Sequence, residues 1–147
     1  MPPDEEPVDS ATEWVAEHTR RYVETNGADG HLWRGVPTLV LTTTGRRSGR
    51  ARRNALIYGR DGDNYVVVAS KGGAPANPLW YLNLTADPNV RLQVGAERFA
   101  ARARVASPPD KERLWPVMAA IWPAYDDYNT KTSRDIPVVI LEPAGRI

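Results

Sequence analysis

Residues 90–106 read Val90-Arg91-Leu92-Gln93-Val94-Gly95-Ala96-Glu97-Arg98-Phe99-Ala100-Ala101-Arg102-Ala103-Arg104-Val105-Ala106, and the alternation in this stretch decides the fold. Phe99, Ala101, Ala103 and Val105 fall on one side, while Arg98, Arg102 and Arg104 fall on the other. That period of two is the signature of a strand with one buried face. Val90–Val94 precedes it across Gly95-Ala96, so the two arms form a β-hairpin.

Working outward from the hairpin, the segment before it predicts a short helix over Leu79–Ala86, entered through Asn77-Pro78 and closed by Asp87-Pro88. Earlier still, Tyr65–Ser70 (YVVVAS) is apolar enough to be a strand buried on both faces, and Lys71-Gly72-Gly73-Ala74-Pro75 breaks it. Asn54–Tyr58 predicts a strand, followed by a turn at Arg60-Asp61-Gly62-Asp63-Asn64. From Val36 a further strand begins, with Leu39 and Leu41 facing one way and Val40 and Thr42 the other. The N-terminal part predicts a helix capped by Asp9 or Ser10, carrying Trp14, Val15, His18 and Tyr22 near one face and stopping near Thr25 before Gly27. Residues 1–8 are expected to be a disordered lead-in. On the C-terminal side, Ser107-Pro108-Pro109-Asp110 starts a helix whose core stripe is Leu114, Val117, Met118 and Ile121. Pro116 and Pro123 are expected to kink or divide it. Ile136–Leu141 is the last buried strand. Strands outnumber helices and most connections suit antiparallel pairing, so the expected fold is α+β, mainly antiparallel β. We expect one split or closed β-barrel with flanking helices over residues 9–147.

Composition narrows the chemistry. Among 147 residues, 19 basic side chains face 18 acidic ones, giving a net charge of +1, so electrostatic recognition has to be local. There is no cysteine, which excludes disulfides, thiolate catalysis and Cys-ligated metals, and two histidines are too few for a histidine metal site. No metal is expected. The acidic, Pro-rich start lacks the form of a signal peptide, and no stretch approaches a membrane span; a cytoplasmic protein is expected. Five Trp and six Tyr stand against one Phe, a balance that suits cavities for planar ligands as well as an ordinary core.

Four segments can carry function. The turn Thr44-Gly45-Arg46-Arg47-Ser48-Gly49-Arg50-Ala51-Arg52-Arg53 concentrates five arginines with two glycines and several hydroxyls. Guanidinium forks match phosphate and carboxylate oxygens, and glycine lets backbone approach a ligand closely. The pattern reads as an anion site, open to a cofactor phosphate or to nucleic acid, with a solvated basic turn as the alternative, and it lacks the ending of a Walker loop. Ala69-Ser70-Lys71-Gly72-Gly73 offers backbone N–H groups and one cation to the edge of a heterocycle. Asn77–Asn83 could present Leu79, Trp80 and Asn83 to a planar ligand, or place Leu79 and Trp80 in the core. Ile121–Tyr128 holds Tyr125 and Tyr128, which can donate a hydrogen bond to an electron acceptor. No nucleophile, paired-carboxylate or metal motif accompanies them, which points to chemistry carried by a cofactor.

Taken in order, LTTTGRRSGRARRN, VVVASKGG, NPLWYLNL and IWPAYDDY resemble the deazaflavin-dependent nitroreductase family, over about Val36 to Pro143. The resemblance implies a split β-barrel binding coenzyme F-420, a 5-deazaflavin with a phosphate and an oligoglutamate tail. It implies hydride transfer to quinones, nitro compounds or other activated acceptors, as in actinobacterial enzymes. By position, it implies that Arg46, Arg47 and Arg52 grip the anionic tail, while Asn54 and Ala55 line the approach to the ring. Val68, Ser70, Lys71 and Gly72 would border the ring, and Leu79, Trp80 and Asn83 would complete the pocket. Ser70, Tyr125 and Tyr128 would face the substrate. Ala55 stands where the family pattern has proline, and Trp122 stands where it has a tyrosine. The second change removes a hydroxyl and adds bulk beside the acceptor. An FMN oxidoreductase on the same barrel, a non-catalytic cofactor carrier and a nucleic-acid-binding module are the alternatives. The expected partner is a small-molecule electron acceptor, with no nucleic acid. A homodimer is compatible with this reading, as is peripheral membrane contact if the acceptor is a lipid quinone.

Overall fold

The computed structural model describes residues 8–9, 13–33 and 35–146. Strand β1 (Val8–Asp9) leads to helix α1 (Glu13–Glu24), then to β2 (Leu32–Trp33), β3 (Val36–Thr44), β4 (Ala51–Ile57), β5 (Gly59–Asp61) and β6 (Asn64–Val68). A single 3-10 turn covers Lys71–Gly73. Helix α2 (Leu79–Ala86) precedes the hairpin of β7 (Asn89–Val94) and β8 (Glu97–Val105), which is followed by α3 (Pro108–Ile121), α4 (Ala124–Lys131) and β9 (Val138–Arg146). The strands form one sheet in the order β1-β4-β3-β7-β8-β9-β6-β5, with β2 paired to β3. Every pairing is antiparallel except that of β1 with β4. The sheet curls on itself as a split barrel flanked by four helices.

The hairpin that decided the reading is present, with Leu92 opposite Phe99 and Val90 opposite Ala101. Its inward residues Phe99, Ala101 and Ala103 are buried. Val105 is not: it is 43% exposed at the end of β8, because alternation fixes a face but not where the cover over that face stops. Strand β6 is buried on both sides, as its unbroken apolar run requires. Tyr65, Val67 and Ala69 join the barrel interior with Leu39, Leu41, Leu92, Phe99 and Leu141. Val66 and Val68 face outward into a second layer formed with Leu114 and Met118 of α3 and Tyr125 of α4. Burying each such side chain contributes about 1.5–3 kcal/mol. Within the α3 stripe, Val117 departs from expectation and is 41% exposed. Leu114 and Met118 are buried against the sheet, with Ile121 partly buried beside them.

The prolines act in different ways. Pro116 lies inside an unbroken α3, whereas the chain divides α3 from α4 at Trp122-Pro123. Ser107 caps α3, its hydroxyl accepting from the Asp110 N–H. At the other end of the chain, Val8 belongs to a strand paired with Arg52, and Asp9 pairs with Arg53 instead of capping a helix. The remainder of the expected lead-in, and Ser10, lie outside the described residues. Strand β4 begins three residues earlier than the apolar pattern indicates, because Ala51–Arg53 pair with Thr42–Thr44 despite their charge. Strand β9 likewise extends through Pro143 to Arg146 by pairing with β8.

Tyr22 is the buried phenol through which helix α1 reaches both β3 and the β7–β8 turn. Tyr22 donates to the Thr38 carbonyl at 2.9 Å and accepts from the Gly95 N–H at 2.6 Å, and burial pushes its pKa up to about 12. Gly27 closes the same contact: a Cβ there would lie 2.5 Å from the Gly95 Cα.

Candidate functional site

The arginine turn connects β3 and β4 and splits its five cations into two sets. Arg46, Arg47 and Arg50 are exposed at the tip, while Arg52 and Arg53 are half-buried in β4 on opposite faces of the strand. The tip is closed by the Gly45 N–H to the Arg50 carbonyl and the Gly49 N–H to the Gly45 carbonyl, both at 2.8 Å. Gly49 takes φ +73°, a left-handed value that disfavours a side chain. Gly45 faces inward, where a Cβ would meet the Ser48 hydroxyl at 2.8 Å and the Arg50 carbonyl at 3.1 Å. Neither Arg46 nor Arg47 pairs with a carboxylate among the described residues. Beside them the Thr44 hydroxyl is buried without a hydrogen-bond partner.

Asn83 holds this turn from below. Its Oδ1 accepts from the Arg46 N–H at 3.1 Å, and its Nδ2 donates to the Thr43 hydroxyl at 3.2 Å. Both ends of the amide are thereby engaged by protein, and the residue is 8% exposed. A buried amide bonded at both its oxygen and its nitrogen to two points on one hairpin fixes the hairpin's shape.

The second element is the end of β6. After Ala69 the chain makes a 3-10 turn in which Lys71 is held at φ +46° and Gly73 at φ +81°. A left-handed non-glycine residue is uncommon, and such strain persists where the surroundings over-determine it. Gly73 packs directly on α4: a Cβ there would sit 3.0 Å from the Tyr128 carbonyl and 3.2 Å from the Lys131 Cβ. This close approach brings α4 and its tyrosines against the Lys-Gly-Gly turn. Lys71 is exposed, and the Ser70 hydroxyl has no hydrogen bond among the described residues.

Tyr125 and Tyr128, three residues apart on α4, meet edge to face at 6.1 Å between centroids. Tyr125 is 4% exposed, and burial, reinforced by the neighbouring Tyr128, pushes its pKa well above the ordinary phenol value. It therefore remains a neutral donor across the physiological range. Tyr128 is half-buried and accepts a long hydrogen bond from the Trp122 indole at 3.4 Å. Trp122 packs against Trp33 of β2 at 5.1 Å. An aromatic row thus runs from Trp33 through Trp122 and Tyr128 to Tyr125.

The structure distributes the expected pocket residues unevenly. Trp80 is part of the barrel core at 6% exposure, and Val68 packs under α3 and α4, so the core alternative for Trp80 is the one realised. Leu79 points the other way and is 67% exposed. Ala55 is tied to α1 by its N–H, which donates to the Thr19 hydroxyl, and Asn54 sits beside it in β4 opposite Leu41. Sequence reasoning passed over Trp33, on a two-residue strand with no periodic signal, and Arg134, in an irregular stretch. Arg134 was legible only as an isolated arginine. A groove of about 380 Å³ between α3 and α4, lined by Lys111, Glu112, Trp115, Asn129 and Asp135, includes none of the expected site residues.

Comparison with known proteins points in one direction. The F420H(2)-dependent quinone reductase family profile matches residues 14–143. An F420H(2)-dependent quinone reductase of Mycobacterium tuberculosis is 45% identical over 128 residues, covering 84% of this chain and 86% of that protein. A solved F420-H2 dependent reductase is 39% identical with a TM-score of 0.68, covering 72% of this chain and 94% of its own. A second solved structure, described as a domain-swapped dimer, is also 39% identical, with a TM-score of 0.70 over 90% of this chain and 100% of its own.

Proposed function

The chain belongs to the F420H(2)-dependent quinone reductase family, and from that membership we propose that it reduces a quinone, or a comparably activated acceptor such as a nitro compound, at the expense of reduced coenzyme F-420. The observation that carries the reading is the arginine turn. Two exposed guanidiniums without carboxylate partners among the described residues stand beside a buried Thr44 hydroxyl with no hydrogen bond there, on a hairpin braced by Asn83. That donor set suits a phosphate and a carboxylate-bearing tail. Arg46 and Arg47 would bind the tail, with Arg52 on the Gly45 side of β4 as a third contact and Asn54 and Ala55 along the approach.

Ser70, Lys71 and Gly72 would border the ring, and Val68 and Trp80 would support that border from the core. Asn83 would act through the turn it holds, and Leu79 would form an outer apolar lip. When bound, the reduced deazaflavin supplies a hydride from its C5 carbon. The protein orients the acceptor, excludes water and stabilises the acceptor oxygen as it gains charge. Tyr125, Tyr128 and the Ser70 hydroxyl are the donors for that oxygen, and Tyr125 holds its proton throughout the working range. The acceptor would lie against the Trp33–Trp122 pair, where the indole of Trp122 replaces a phenol. We take the small-molecule acceptor as the partner, a homodimer as the assembly and the cytoplasm as the site of action, with the membrane surface as the meeting point for a lipid quinone.

Titration of the purified protein with F-420, followed by cofactor fluorescence, tests the reading. Micromolar binding is expected, with a loss of about tenfold or more in an Arg46→Ala/Arg47→Ala variant. No binding by the native chain, or an FMN-loaded protein on purification, overturns it.

A further inference from the structure

Arg134 lies between α4 and β9, and its whole side chain is committed to one loop. Its Nε donates to the Ala74 carbonyl at 2.8 Å. Nη1 donates to the Ala69 carbonyl at 3.2 Å and to Asn77 Oδ1 at 2.8 Å. Nη2 donates to the Ser70 carbonyl at 2.7 Å. Four of the five guanidinium N–H donors are used, and no carboxylate among the described residues pairs with the charge. This is a cation balanced by carbonyl dipoles at both ends of the Lys-Gly-Gly turn.

The geometry of the peptide gives that arrangement a consequence. In a planar trans peptide the C=O and the next N–H point in opposite directions. Carbonyls 69 and 70 are drawn toward Arg134, so the N–H groups of Ser70 and Lys71 point away from it. Local bonding holds the turn only through the Gly73 N–H to the Ser70 carbonyl at 3.0 Å and the Ala74 N–H to the Lys71 carbonyl at 3.1 Å. Those two bonds hold Lys71 in its left-handed conformation only with outside support. Gly73 against α4 supports one side, and Arg134 supports the other. Through Asn77, Arg134 also ties the turn to the entrance of α2, the helix whose Asn83 braces the arginine turn.

We propose that Arg134 is a positioning residue of the cofactor site, which aims the Ser70 and Lys71 N–H groups at the ring edge by holding the carbonyls behind them. This rests on the reading that the 70–72 turn borders the deazaflavin. The experiment uses Arg134→Lys and Arg134→Gln in the full chain, with Asn77→Ala as a milder variant that removes one of the four bonds.

In the cofactor-free protein, amide exchange at Gly73 and Ala74 is expected to speed up by about tenfold or more, with β3, β8 and β9 unchanged. F-420 affinity is expected to fall by about tenfold or more while the KM for the acceptor stays put, and Asn77→Ala is expected to shift both readouts the same way by less. Exchange that rises evenly over the barrel overturns the proposal in favour of a general structural role. Variants that bind F-420 like the native chain overturn it as well. If the native chain itself binds no F-420, the cofactor reading falls and this proposal with it, whereas native binding with unaltered variants removes Arg134 alone.

Discussion

Asn83 shows how a single side chain can matter to a ligand it need not touch. Its two hydrogen bonds, to Arg46 and Thr43, fix the arginine turn from within the protein. Asn83→Ala leaves both groups without their partner and is expected to cost about 1–3 kcal/mol in urea unfolding. Asn83→Asp keeps an acceptor for the Arg46 N–H but places a negative charge under the proposed anion site. Its F-420 affinity is expected to fall below that of the alanine variant, which fluorescence titration measures. Equal affinities would show that the residue acts by shape alone. Tyr125 poses a question of sign. Its folded pKa is raised above the ordinary 10, so below pH 10 the group is neutral in both folded and unfolded chains and adds no pH dependence. Above pH 10 the unfolded chain loses the proton first, and stability falls as pH rises. Alkaline loss of stability is therefore expected to begin above about pH 10 and to be less steep in Tyr125→Phe. The same variant is expected to lower kcat by about 10²-fold or more at neutral pH if this phenol donates to the acceptor. A flat response in an acceptor assay would leave Tyr128 or Ser70 as the donor.

At the scale of elements, the contact between the Lys-Gly-Gly turn and α4 brings the two halves of the proposed site together. The turn belongs to the barrel by its origin in β6, and the tyrosines belong to a helix two elements beyond β8. They meet because Gly73 presents no side chain to the Tyr128 backbone. Gly73→Ala combines φ +81° with a Cβ at 3.0–3.2 Å from α4, and a loss of about 1–3 kcal/mol is expected in chemical denaturation. If α4 carries the acceptor side, as proposed, acceptor turnover is expected to fall further than F-420 affinity. Most of the elements were legible beforehand. The β7–β8 hairpin, the doubly buried β6 and helix α2 follow from period, breaker residues and apolar runs. Strand β5 and the early start of β4 were not, because Ala51–Arg53 and Gly59–Asp61 become strands by pairing rather than by their own pattern.

Over the whole molecule the charges nearly cancel, so what electrostatics does here is local. Asp61 at the sheet edge receives both Nη atoms of Arg113 at 2.8 and 3.0 Å, and Asp110 receives Arg113 at 3.3 Å. Hydrogen bonds from Arg113, and for Asp110 also from Arg104, hold both carboxyls below their ordinary range. A lowered folded pKa stabilises the fold above the unfolded value of 3.8 and is lost as pH falls below it. Arg113→Met is therefore expected to shift acid unfolding to higher pH, read as the midpoint of a circular-dichroism titration, and to remove at neutral pH whatever stability these exposed pairs add. An unchanged midpoint would show these exposed pairs to be fully screened.

The sequence alone specifies the antiparallel barrel, the cationic character of the arginine turn and the tyrosine pair, because these rest on local period, composition and spacing. It could not determine which apolar residues were pocket and which were core: Trp80 went inward and Leu79 outward, a choice made by the space left inside the curled sheet. Nor could it show that Asn83 faces the arginine turn 37 residues away, or that Arg134 reaches back more than 60 residues to Ala69 and Ser70. Those contacts exist only after the chain closes on itself, since a lone polar residue has no periodicity to announce its partner. Tertiary packing thus sets how the cations and donors of the proposed site are held, and the sequence sets what they are.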